Sequence, residues 1–89
     1  MEKHIERVMD DIISSPNVFG CVFVDHQGLC LGAKGDASTE SAGIIGAIAD
    51  QAAKLEPQNQ PPIIVVEDDT KRCIIHRNGT VTGAIYKTN

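Results

Sequence analysis

The sequence predicts an α/β domain of the α+β type with the element order α-β-β-α-β-β-β, and three observations carry that order. An N-terminal stretch repeats apolar residues with the period of a helix. A second helical stretch, residues 42–55, is apolar over an arc too wide for one neighbour. Between and after them lie short runs of Val, Ile and Phe, punctuated by Gly, Asn, Asp and Pro.

Ile5, Val8, Met9, Ile12 and Ile13 fall at i, i+3, i+4, i+7 and i+8, opposite Lys3, Glu6, Arg7 and Asp10, and define the first helix. Ser14-Ser15-Pro16-Asn17 ends it, because Pro16 steers its predecessor away from helical geometry. Residues 18–25 read as a strand, Asp25-His26-Gln27-Gly28 as a turn and residues 29–34 as a second strand, together a hairpin. Gly32 marks a bulge or a close backbone approach. Ser38 is the expected N-cap of the next helix, with Glu40 in a first turn where negative charge suits the helix dipole.

At about 100° per residue, the apolar side chains of residues 42–55 cover roughly 200° of that helix. They are sorted by size. Ile44, Ile48 and Leu55 form a bulky flank with Ile45 near the middle, and the bulky flank is expected to fill the core. Ala42, Gly46, Ala49 and Ala53 form a smooth flank. Such a flank either admits the backbone of another chain or lets the helix sit low on its own sheet.

Glu56-Pro57-Gln58-Asn59-Gln60-Pro61-Pro62 is a polar, Pro-rich connection. Ile63-Ile64-Val65-Val66 follows, a continuous apolar run with the pattern of a strand covered on both faces. Pro61 and Pro62 suit a strand start or a sheet edge. An open apolar edge invites aggregation, so a pairing or covering element is expected there. Asp68-Asp69-Thr70-Lys71 turns into a strand at 72–77, Asn78-Gly79 signals a type I′ hairpin, and residues 80–87 make the last strand.

With 89 residues the chain makes one domain at most, spanning residues 1–89, and its core is thin enough that help from a partner is expected. A net charge of −4, with Lys71-Arg72 and Arg77 scattered, argues against tracking a nucleic-acid backbone. No apolar run approaches the ~20 residues that span a bilayer, and no signal peptide, myristoylation site or prenylation box is expected, so membrane attachment must come through a partner. Cys21, Cys30 and Cys73 lack C-x-x-C spacing and read as free thiols in a reducing compartment.

Little else looks like chemistry. Gly28, Gly32, Lys34 and Gly35 lack the phosphate-loop register and read as hairpin residues. His4, His26 and His76 sit on three different elements without ligand spacing. Glu67-Asp68-Asp69 lacks the spaced oxygens of a calcium loop and reads as a charged turn. Ser14 and Ser15 read as capping residues rather than nucleophiles. No catalytic residue, cofactor or metal is expected.

Phe19-Gly20-Cys21-Val22 and Asp25-His26-Gln27-Gly28-Leu29-Cys30-Leu31-Gly32, with Gly35 shortly after, resemble the first hairpin of the roadblock/longin-type superfamily. Ser41-Ala42-Gly43 and Gln51-Ala52-Ala53-Lys54-Leu55 resemble the central helix of the roadblock-like Ragulator subunits. The likeness spans essentially the whole chain. It implies a five-stranded antiparallel sheet with the two helices on opposite faces. The third, C-terminal helix of typical members is not expected, which leaves part of one face open.

The resemblance further implies that central helices pack together and third strands join edge to edge. Ala42, Gly46, Ala49, Ala53, Ile63, Ile64, Val65 and Val66 are then the expected interface with another roadblock-like subunit in a heterodimer, Ala49 near its centre. It implies a lipid-anchored wrapping subunit, with the open face as its seat, and Rag GTPases held through the complex. The resulting role is non-catalytic: a scaffold at the lysosomal or late endosomal surface for amino-acid signalling to the TOR kinase complex. Two alternatives stay open, a homodimeric roadblock protein of dynein light chain or GTPase-regulator type, and a small-molecule sensor.

Overall fold

The computed structural model describes residues 2–55, 58 and 60–89; Met1, the Glu56-Pro57 start of the polar connection and its Asn59 lie outside them. Helix α1 (Glu2–Ile13) leads to β1 (Val18–Val24) and β2 (Cys30–Gly35). A 3-10 turn (Thr39–Ser41) precedes α2 (Ala42–Ala53), and β3 (Ile63–Glu67), β4 (Lys71–Asn78) and β5 (Val81–Thr88) follow. The observed order is the one read from the sequence. All strand pairs are antiparallel, and the sheet runs β2-β1-β5-β4-β3. The first and last strands meet mid-sheet, leaving β2 and β3 as edges.

Local chemistry explains the corners. Asn17 is the one described non-glycine residue with positive φ (69°), a conformation Asn tolerates, and its carbonyl accepts the Thr88 N–H at 2.8 Å. That bond ties the end of β5 to the exit of α1. In the first hairpin the Asp25 carboxylate accepts the Gln27 and Leu29 N–H groups, both at 2.9 Å. In the β4–β5 hairpin, Asn78 pairs with Val81, so the two loop residues are Gly79 and Thr80, not Asn78 and Gly79. Positive φ falls on Gly79 alone (65°), the pattern of a II′ turn rather than the expected I′. Ser38 caps as expected, its Oγ accepting the Glu40 N–H at 3.1 Å, but it caps the 3-10 turn that feeds α2.

Alternation along the strands divides the interior into two layers. On one face Val22, Val24, Ile75 and Ala84 pack with Ala42, Ile45 and Ala49 of α2. On the other, Cys21 packs with Ile5 and Met9 of α1, bordered by Ile12, Ile13, Phe23 and Leu31. The register of β1 against β2 skips Leu31, a bulge beside Gly32, and Gly32 itself receives the Met9 side chain. The bulge reading of that glycine therefore holds, and the close neighbour is a side chain rather than a second backbone.

Candidate partner interface

Helix α2 sits on the sheet with its smooth flank inward. Ala42, Gly46 and Ala49 are buried, Ala49 at 3% exposure, and Ala53 is half-buried. The sequence reading turned the bulky flank to the core, and here the structure corrects it. Ile45 does enter the core, but Ile44 is 64% exposed, Leu55 is 80% exposed and Ile48 is only partly buried. The reason is steric. A Cβ at Gly46 would meet Gly28 Cα at 3.5 Å and Val24 Cγ1 at 3.6 Å, so this flank lowers the helix onto its own strands, where branched residues would lift it away. The excess apolar arc is real, and it is the bulky part that faces outward.

Strand β3 pairs with β4 on one side, and among the described residues no strand borders its other side. Ile64 packs against the α2-side core, whereas Ile63, Val65 and Val66 are exposed, Ile63 at 66%. The expected cover on both faces is not supplied among the described residues. The apolar edge and the outward flank of α2 are thus both unoccupied surfaces of this chain.

One polar assembly fixes α2 from below. Arg77 Nη2 lies 2.7 Å from the Asp50 carboxylate and donates to the Gly46 carbonyl at 3.4 Å, while Nε donates to Thr82 Oγ1 at 3.1 Å. Thr82 is the buried polar residue of the sheet. Sequence reasoning passed over Arg77. Its signal was the alternation of Cys73, Ile75 and Arg77, which places a cation in phase with buried positions. At the other end of α2, Ser41 Oγ and Tyr86 Oη share a 3.4 Å hydrogen bond.

On the opposite face α1 packs over β1 and β2, leaving a groove between α1 and the β4–β5 half of the sheet. It has a volume of about 480 Å³ and is lined by Val8, Ile12, Phe23, Ile74 and Ile85, with His4 and His76 among its polar groups.

The ionisable groups serve structure. Backbone N–H donors, Leu29 first for Asp25 and Thr70 first for Asp68, hold both carboxyls below the usual range, so Asp68 of the acidic trio organises the β3–β4 turn. Asp10, 3.0 Å from Lys34, raises the lysine and ties α1 to β2. Burial pushes the Cys21 and Cys73 thiols up. Cys21, Cys30 and Cys73 are all free. His4, His26 and His76 lie at the groove, the first hairpin turn and β4. No group of three or more metal-ligating side chains occurs among the described residues. No described helix is long and apolar enough to cross a membrane.

This sheet order, with one helix on each face, is the roadblock fold. It superimposes on Myxococcus xanthus MglB with a TM-score of 0.85 at 20% identity, over 99% of this chain and 72% of that one. A Roadblock/LC7 domain from Streptomyces avermitilis gives 0.76 at 14% identity, over 92% and 76%. Within that class, the family model described as "Ragulator complex protein LAMTOR5" matches residues 1–87. The Ragulator complex protein LAMTOR5 homolog of Nematostella vectensis is 40% identical over 98% of this chain and 97% of its own length. LAMTOR5 of Xenopus tropicalis is 32% identical over the same shares. The chain belongs to the LAMTOR5 family.

Proposed function

We propose that this chain is a non-catalytic scaffold subunit of a Ragulator complex, working as half of a heterodimer with another roadblock-like subunit. The observation that carries the reading is the exposed apolar edge Ile63–Val66 beside an α2 whose Ile44 faces outward, with exposed Leu55 just beyond its C-terminus. The pairing surface is that edge together with Ile44, Ile48 and Leu55. Ala42, Gly46, Ala49 and Ala53 support it from beneath.

Magnitudes favour using both parts at once. Burying two large aliphatic side chains is worth roughly 3–6 kcal/mol. Association costs about 4–15 kcal/mol, so the helix flank alone does not hold a partner. A β3–β3 ladder adds backbone hydrogen bonds and buries the edge aliphatics in the same step.

In the same reading, the groove beside α1 receives an apolar segment of a lipid-anchored wrapping subunit. The assembly then supports Rag GTPases at the lysosomal surface and relays amino-acid signals to the TOR kinase complex. The mechanism is geometric: the chain supplies one edge and two faces, and GTPase regulation belongs to the assembly. Affinity purification of the tagged chain from native cells, followed by mass spectrometry, tests this. Recovery of a roadblock-like subunit and a lipid-anchored subunit at stoichiometric levels supports the proposal. A chain recovered alone, or as a homodimer, sinks it.

A further inference from the structure

We propose that Arg77 sets the roll of α2 on the sheet and so positions the pairing surface, an inference that rests on reading Ile44, Ile48 and Leu55 as part of that surface. The flank that α2 presents to the sheet is Ala42, Gly46, Ala49 and Ala53, and three of these four are buried. Small side chains bring the helix close, but they interlock weakly and leave its rotation about its own axis poorly defined. Ile45 is the one large fully buried side chain on α2.

Arg77 supplies what the smooth flank lacks. Its guanidinium reaches the Gly46 carbonyl and the Asp50 carboxylate, two points one helical turn apart, while Nε is held by buried Thr82. Nη2 touches α2 at two points while Nε is anchored on β5 through Thr82, so the planar guanidinium fork joins helix to sheet and resists rotation more than a single contact would. The Arg77 side chain is 21% exposed and Asp50 is 57% exposed, so the grip is shielded on the sheet side and meets solvent at the Asp50 carboxylate. Around the helix, Gly46 and Asp50 lie roughly 120–160° from Ile44 and Ile48. Fixing that edge therefore fixes how far the bulky flank stands out. The other polar tie, Ser41 to Tyr86 at 3.4 Å, is a single contact at the start of α2, and Ser41 gives α2 no side-chain cap. Arg77 is thus a positioning residue, acting on the interface through α2.

The test compares Arg77→Met, Asp50→Asn and the double variant with Ile75→Val, which trims the same layer without touching the fork. The first arm is hydrogen exchange on the isolated chain. Arg77→Met is expected to speed exchange of the α2 amides after Gly46 at least tenfold and leave β1 and β5 unchanged. The second arm is affinity for a co-expressed roadblock-like Ragulator subunit. Arg77→Met is expected to weaken it at least tenfold, and the double variant no further. Ile75→Val, at an equal loss of melting temperature, is expected to stay within twofold of wild type. Unchanged α2 exchange overturns the inference, as does a loss of affinity matched by Ile75→Val. If the wild-type chain captures no such subunit, the pairing reading above fails, and the exchange arm still decides whether Arg77 holds the helix.

Discussion

Met9 occupies the space that a side chain at Gly32 would need: a Cβ there would lie 2.6 Å from the Met9 Cε. The contact seats α1 on β2, and the nearby Lys34–Asp10 ion pair at 3.0 Å holds the same junction from the solvent side. Because the clashing atom is the end of a flexible side chain, Gly32→Ala is expected to cost little. Gly32→Leu overfills the seam and is expected to cost about 1–3 kcal/mol in urea denaturation. The position of α1 also sets one wall of the groove, so only the larger substitution should weaken capture of a groove-binding segment.

Ala49 and Ile44 separate the two flanks of α2 cleanly. Ala49→Arg places a cation in a buried site without a partner, at a cost of several kcal/mol, and is expected to unfold the chain by circular dichroism. Ile44→Asp changes an exposed position and should hold stability within about 0.5 kcal/mol of wild type. It is nevertheless expected to lose the roadblock-like partner in co-purification. An Ile44→Asp chain that still pairs normally would show that the outward flank is not part of the interface.

The β3 edge carries a different prediction, about the chain without its partner. Val65→Lys puts a charge on an apolar edge, the means by which natural sheets avoid edge-to-edge association. Light scattering of the isolated chain should show less aggregation than wild type. The same variant should pair more weakly with a roadblock-like subunit.

Acid sensitivity follows from Asp25 and Asp68, whose carboxyls are held below their ordinary value by turn N–H groups. A lowered folded pKa means the native chain binds fewer protons than the unfolded one. These groups therefore contribute stability above about pH 3.9, and the contribution is lost as pH falls through the folded values. Melting temperature is expected to drop on acidification below about pH 5. Asp68→Asn should flatten that drop while lowering stability at neutral pH. A parallel pH profile for wild type and variant would contradict it.

The sequence made the element order legible because each element carries its own period and its own stop. The 3.6-residue spacing of Ile5 to Ile13 and the turn residues at Asp25 and Gly79 are local signals, and local rules read them correctly to within a few residues. The orientation of α2 was less legible. Its arc width reported that two surfaces would be apolar, but which flank faces the sheet depends on how close the strands come, a tertiary quantity. The apolar run of β3 misled in another way. Its pattern matches a doubly covered strand, and the described residues leave Ile63, Val65 and Val66 exposed. Arg77 carried only the alternation with Cys73 and Ile75 as a signal, and its partners Thr82, Gly46 and Asp50 emerge from the tertiary packing. The apolar edge at Ile63–Val66 is thus legible in the sequence, whereas the outward exposure of Ile44 and the burial of Ala42, Gly46 and Ala49 are not.

Hydrogen exchange of the chain alone and in complex with a roadblock-like subunit tests the central claim most directly. If β3 and the outward flank of α2 form the pairing surface, the outward-facing amides of Ile63–Glu67 slow at least tenfold on complex formation, and those of the β2 edge do not change. Protection at β2 with β3 unaltered would contradict the account and move the interface to the opposite edge of the sheet.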